Sequence, residues 1–166
     1  MNDVVVVNEK DEVIGTMSRE EAHRTGTLHR IAVVYVSNPQ GQILIQVRKG
    51  GRLDHSSAGH VDPGEEYRET ARRELKEELG IEGVELALVG SGISSEGPPA
   101  FTENRTHVMQ IFSCTAVPGD LQTDEVEGVY WADPKEVLAD MQADTASTKY
   151  SGGFRTSLPI FLAQKG

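Results

Sequence analysis

The stretch Gly59-His60-Val61-Asp62-Pro63-Gly64-Glu65-Glu66-Tyr67-Arg68-Glu69-Thr70-Ala71-Arg72-Arg73-Glu74-Leu75-Lys76-Glu77-Glu78-Leu79-Gly80-Ile81 decides how this chain folds and where its chemistry lies. Its spacing predicts a helix that begins around Pro63 to Glu66 and ends at Gly80. Ala71, Leu75 and Leu79 recur at four-residue steps and form the stripe to be buried. Glu77 and Glu78 follow Glu74 by three and four positions, which places the three acids side by side on one helical face. Like charges at that spacing repel unless cations sit between them. The expected occupant is a hard divalent ion, Mg2+ first and Mn2+ as its substitute, because carboxylate oxygens suit it and it bridges protein acids to substrate phosphates. The bland alternative is a solvated acidic helix with Glu77 answered by Lys76 or Arg73. The fixed glycines together with the Arg-Glu and Glu-Glu pairs weigh against it. Glu66 and Glu69 read as first-turn or surface acids.

Outward from this stretch, the chain alternates strands with a few helices. Val4 to Thr16 reads as two short strands joined around Asn8 to Asp11, and Ser18 with Glu21 has the pattern of a helix N-cap box. Leu28 to Val36 and Gln42 to Val47 are stronger strands, with Asn38-Pro39-Gln40-Gly41 between them as a hairpin turn. Gly50 to Ser57 reads as a polar loop. Val84 to Gly90, Val108 to Ala116 and Val126 to Trp131 are further strands. Asp133-Pro134 caps a helix through about Met141, Asp140 to Gly153 reads as a loop, and an amphipathic segment spans Phe154 to Ala163 despite Pro159. The expected product is a single α/β domain over residues 1–166, with an N-terminal strand extension at 1–27 and a mixed sheet covered by helices on both faces.

Composition narrows the partners. The 166 residues carry 16 Lys and Arg against 26 Asp and Glu, a formal charge of −10, so long nucleic acids and anionic membranes should be repelled. A bound cation can invert the local field, which keeps small phosphorylated, nucleotide-like substrates in play. No apolar stretch is long enough to cross a bilayer, no signal-peptide pattern opens the sequence, and Cys114 is the only cysteine. Together these suggest a cytoplasmic protein. A monomer or a homodimer is expected, the latter if the N-terminal strands pair between chains.

The motif matches G-x5-E-x7-R-E-U-x-E-E-x-G-U, U being bulky and apolar, at Gly59, Glu65, Arg73, Glu74, Leu75, Glu77, Glu78, Gly80 and Ile81. This resembles the signature of the Nudix hydrolase superfamily, and the strand order from His29 onward is similar to that family's α/β/α sandwich. The resemblance implies cleavage of a diphosphate linkage by water with divalent cations. It implies metal binding by Glu74, Glu77 and Glu78 with the Gly59 carbonyl, a helix-loop role for Glu65, and orientation of the catalytic groups by Arg73. The acid that serves as general base is left open.

A second resemblance covers the N-terminal half. His23, Leu28-His29-Arg30, Ser56-Ser57-Ala58-Gly59-His60 and Glu103-Asn104 are similar to parts of type I isopentenyl-diphosphate isomerase, a Nudix-fold enzyme. It implies His23, His29, His60 and Glu103 as matches to metal ligands. The departures count for more. Ala58 stands where that enzyme's cysteine is expected and Arg105 where its second key glutamate is expected, and neither can do the corresponding chemistry. Cys114, in a strand far from the motif, reads as a small buried hydrophobe.

Taken singly, His29 and His60 read as structural hydrogen-bonding groups with access to phosphate or a second metal, and His107 as a strand-edge residue. A dispersed three-histidine zinc site is a weaker reading. Arg48 and Lys49, at a strand end near the cleft, are candidate phosphate ligands, and Glu103 is the best additional carboxylate. Phe101, Tyr130 and Trp131 could stack on a base, with core packing the commoner role for the last two. The expected function is hydrolysis of a nucleoside di- or triphosphate or related derivative. The rivals are isopentenyl-diphosphate isomerisation and a noncatalytic nucleotide-binding or protein-interaction module.

Overall fold

The computed structural model describes residues 3–96, 105–121, 124–144, 146 and 148–165, without the side chains of residues 96, 105 and 165. Among the described residues nine strands and four helices follow in order: β1 (Asp3–Val7), β2 (Val13–Ser18), α1 (Arg19–Thr25), β3 (His29–Ser37), β4 (Ile43–Arg48), β5 (Leu53–Asp54), β6 (Ser57–His60), α2 (Tyr67–Leu79), β7 (Ala87–Glu96), β8 (Arg105–Thr115), β9 (Val126–Ala132), α3 (Pro134–Ala143) and α4 (Gly152–Lys165).

β3 organises the sheet. It runs parallel to β8 from His29↔His107 to Ser37↔Thr115, and its other edge pairs antiparallel with β6 from Ile31↔His60 to Val34↔Ser57. β7 extends the sheet beyond β8, while β4 carries β9 and β5. Because side chains alternate across a strand, β3 divides its apolar residues between two cores. Ala32, Val34 and Val36 join Leu44, Phe112 and the α2 stripe Tyr67, Ala71, Leu75 and Leu79. Ile31, Val33 and Tyr35 join Ile43, Ile45, Met109, Ile111 and the helical residues Val137, Met141, Phe154, Leu158 and Phe161. The chain is therefore an α/β protein whose mixed sheet has α2 on one face and α3 with α4 on the other. Each fully buried Leu or Phe in these layers contributes roughly 1.5–3 kcal/mol.

The helix of the motif forms as its pattern predicts. The Glu69 carboxylate accepts the Glu66 amide at 2.9 Å, so Glu69 is a capping acid rather than a generic surface one. Gly80 ends the helix at φ 64, with its amide bonded to the Lys76 carbonyl at 3.0 Å and that of Ile81 to the Leu75 carbonyl at 3.2 Å. Asp11, in the β1–β2 turn, ties this helix to the N-terminal strands. Its carboxylate accepts from Tyr67 Oη at 2.9 Å and from Arg30 Nε at 2.8 Å. β1 pairs within the chain, with β2 along its length and with β3 at Val6↔His29.

Three expectations need correction. The Asn38 to Gly41 turn forms, but β3 and β4 share only the Ser37↔Ile43 position before diverging to other partners, so no extended hairpin results. The polar segment from Gly50 contains β5 and leads into β6, strands too short to leave a periodic signal. β7 begins later and runs further than the apolar stretch Val84 to Gly90. Its polar continuation is a strand because β8 pairs with it through Glu96↔Arg105. Gly90 and Gly92 let α4 approach closely there: an added Cβ would stand 2.9 Å from Ile160 atoms at either position. Trp131 packs partly buried against the α2-side core and Tyr130 is 42% exposed. Among the described residues no helix is long and apolar enough to cross a membrane.

Candidate active site

The three motif acids emerge from α2 toward β6, each in a different environment. Glu78 is 3% exposed. Its carboxylate accepts from Ser57 Oγ at 2.7 Å and from the Ala58 amide at 3.2 Å, with Arg48 Nη1 at 3.4 Å and Gln46 Nε2 at 3.5 Å. Burial pushes its carboxyl above the ordinary range, against the pull of Ser57, Arg48 and Ala58. Glu74 is pushed up to about 7, first by burial, then by the charge of Glu78, with Arg73 opposing and Glu77 adding to the rise. Glu77 is the outermost, its side chain 56% exposed.

Gly59 explains how Glu74 fits. A Cβ on Gly59 would stand 2.2 Å from Glu74 Cδ and 2.3 Å from Oε1, so the carboxylate occupies the space a side chain would fill. The glycine is needed for close approach of strand and helix.

Arg73 is the hub of the array. Its Nε and Nη2 bond the two Glu65 oxygens at 2.9 Å each, Nη1 bonds Glu74 Oε1 at 2.7 Å, and Nη2 reaches the His60 carbonyl at 3.2 Å. This two-pronged grip holds Glu65 down at about 2, with the Asp62 amide and Thr70 hydroxyl assisting. Arg73 thus fixes the loop through Glu65 and the acidic face through Glu74. Oxygen donors crowded in this way fit a hard divalent cation: burial and mutual charge have already lifted two of the acids, a cost that such an ion relieves.

Arg48 belongs to this site through Glu78 and Gln46, the latter at 2.7 Å. Lys49 is exposed where β4 ends, and Glu103 and Phe101 lie outside the described residues. His29 and His60 stand elsewhere. Gly59 pairs with Ala32 on the α2 face, whereas His60 pairs with Ile31 on the α4 face. There His60 meets His29, His23 and His107, with one candidate ligand atom from each lying within 4.8 Å of all the others. Sequence reasoning missed His107 in this group; the available signal was strand pairing, which puts it directly beside His29. It also missed Ser57, which donates to Glu78, and Gln46, which links Arg48, the Ser56 carbonyl and Glu78. Ala58 lies partly buried against the α4-side core and carries no proton to exchange. Cys114 is buried in the opposite core, its thiol pushed up to about 11.

Comparison with known proteins places the fold in a family. The NUDIX domain family matches residues 27–150. Nudix hydrolase YfcD of Shigella flexneri is 38% identical over 144 residues, covering 82% of this chain and 76% of that protein. An isopentenyl-diphosphate Delta-isomerase of Clavibacter michiganensis subsp. michiganensis is 31% identical over 145 residues, covering 81% and 74%. The crystal structure of DR0079 from Deinococcus radiodurans superposes with a TM-score of 0.72 at 29% identity, over 92% of this chain and 94% of that one. With the family match over most of its length, this chain belongs to the Nudix hydrolase family.

Proposed function

We propose that this Nudix hydrolase cleaves the diphosphate linkage of a nucleoside di- or triphosphate, or of a related nucleotide derivative, with Mg2+ as cofactor and Mn2+ as a substitute. The observation that carries the reading is the graded acidic face. Glu78 is buried, Glu77 is exposed, and Glu74, pushed up to about 7, stands beside the Gly59 backbone in the grip of Arg73. Glu74, Glu77, Glu78 and the Gly59 carbonyl would hold the cation. When bound, it supplies polarisation of phosphoryl oxygens and acidification of a water. The protein's own groups do the rest. Arg73 and Glu65 keep the acids in register, Ser57 and the Ala58 amide fix the Glu78 rotamer, and a carboxylate of the same face accepts the water's proton. Arg48, 3.4 Å from Glu78, and the neighbouring Lys49 would take substrate phosphates. A free thiol at Cys114 suits a reducing, cytoplasmic setting.

A screen of nucleoside phosphates, nucleotide sugars, dinucleoside polyphosphates and isoprenyl diphosphates tests this, with orthophosphate, diphosphate and nucleoside monophosphate resolved to identify the broken bond. Mg2+- or Mn2+-stimulated release from a nucleotide is expected. Its absence across the panel overturns the proposal. The relative named as an isomerase motivates one rival, but Ala58 leaves that reaction without its proton carrier. Isopentenyl diphosphate should therefore be recovered without double-bond migration.

A further inference from the structure

We propose that Arg48, steadied by Gln46, is the internal counterion of Glu78 in the metal-free protein, that a divalent cation displaces it from Glu78 Oε2, and that the displaced guanidinium then grips substrate phosphate. The inference rests on reading the acidic face as a cation site and adds the order in which that site is filled. The two oxygens of Glu78 are used unequally. Oε1 accepts from Ser57 Oγ at 2.7 Å and from the Ala58 amide at 3.2 Å, with Gln46 Nε2 at 3.5 Å. Among the described residues Oε2 accepts only from Arg48 Nη1, at 3.4 Å. The donors on Oε1 are neutral and belong to β4 and β6, so they fix the rotamer of Glu78 and leave Oε2 as the oxygen that can hold a cation. The arginine and the cation need the same atom.

Gln46 holds the arginine at this atom. It is fully buried in β4, and a buried amide is costly unless it is bonded. The Ser56 carbonyl only accepts and a guanidinium only donates, which settles the amide's orientation. Nε2 faces Ser56 at 3.0 Å and Oε1 faces Arg48 Nη1 at 2.7 Å. The same arginine nitrogen thus bridges Gln46 and Glu78, and its bond to Glu78 is the longer of the two. The Arg48 side chain is 35% exposed against 4% for that of Glu78, so the guanidinium can turn outward while the acid stays in place. An ion pair so open to water contributes little. A divalent ion among Glu74, Glu77 and Glu78 relieves their mutual repulsion, which one guanidinium at the rim does not. Exchange of the arginine for the ion is therefore favourable. It also couples the two ligands, because the cation's arrival releases the group that binds phosphate.

Mn2+ affinity of the full chain, read without substrate from the electron spin resonance of the free ion, tests the exchange. Arg48→Ala, checked for folding by circular dichroism, should bind Mn2+ about three- to tenfold more tightly than the wild type. With the site saturated by Mg2+, the same variant should bind inorganic diphosphate about tenfold more weakly. A merely structural arginine would not move the two affinities in opposite directions. Gln46→Met, which keeps the volume and loses the acceptor, should tighten Mn2+ binding by a smaller factor than Arg48→Ala. Lys49→Ala removes a neighbouring charge that makes no bond to Glu78 and should change Mn2+ affinity by less than about twofold. Mn2+ binding by Arg48→Ala that is no tighter than in the wild type overturns the proposal. So does an equal gain in Lys49→Ala, or undiminished diphosphate binding by Arg48→Ala. A wild type that binds no Mn2+ overturns the cation reading of the acidic face as well, so the two failures are told apart.

Discussion

The two faces of β6 carry two clusters of ligand-forming residues built on opposite plans. On the α2 side the acids come from one helix, within five consecutive residues, and two of them, Glu74 and Glu77, pair with an arginine from the same helix. On the α4 side the histidines come from positions 23, 29, 60 and 107 and meet only because β3 places β6 on one edge and β8 on the other. The first cluster consists of hard, charged oxygen donors that repel one another. The second consists of imidazole nitrogen donors. A single strand can present both without mixing them because its residues alternate sides. One consequence is that changes on one side should leave the other intact.

The largest effect should come from the acids themselves. Glu77→Gln or Glu78→Gln should lower Mg2+-dependent diphosphate cleavage on the order of 100-fold or more while far-UV dichroism stays native. Wild-type turnover in both variants across a metal titration would remove the acidic face from the mechanism. Next come the groups that hold it. Arg73→Lys loses the two-pronged grip on Glu65 and should cost about 10- to 100-fold in turnover, read as a fall in kcat at saturating metal. Gly59→Ala places a methyl where Glu74 lies. It should destabilise the chain by about 1–3 kcal/mol in urea melts and displace that carboxylate. A variant with native stability and activity would show that the close approach is not required.

A smaller effect should appear in the pH dependence of the metal-free protein. Glu74 is raised from 4.5 to about 7 in the folded state. Between those values the folded chain keeps a proton that the unfolded chain has lost. Its contribution is complete below about 4.5 and is lost as pH rises through about 7. Glu78 is shifted in the same direction. Glu65, lowered to about 2, acts oppositely: its contribution is present above 4.5 and lost as pH falls toward 2. Chemical denaturation from pH 4.5 to 8 should therefore show stability declining toward neutrality, with a shallower slope in Glu74→Gln. An unchanged slope in that variant would assign the decline to other groups. At the low end, Lys76→Ala should change stability by no more than about 0.5 kcal/mol, since its side chain is 65% exposed and its contact with Glu82 is 3.7 Å long. A larger loss would mean that the outer face of α2 is not simply solvated.

The legibility of these regions follows from their distance along the chain. The helix from Tyr67 to Leu79 was readable because cap, stripe, acids and terminal glycine are all set by helical period. The two-sided sheet was readable from β-branched blocks such as Ile31 to Val36. β5 and β6 were not, being two and four residues long and held by partners remote in sequence. Arg48 could be placed near the cleft from its strand-end position, but its engagement with Glu78 depends on how β4 lies against α2. His107 looked like an edge residue because nothing near it in sequence suggests His29 as its neighbour.

By itself, then, the sequence determined the acidic helix, its glycine-bounded turn and the α/β class, since these rest on periodicities and spacings within a few residues. Tertiary structure alone decided that Glu74 fills the space beside Gly59, that Ser57 and Arg48 hold Glu78, and that four scattered histidines converge. Those outcomes depend on strand register, and register is fixed by which apolar face each strand must bury.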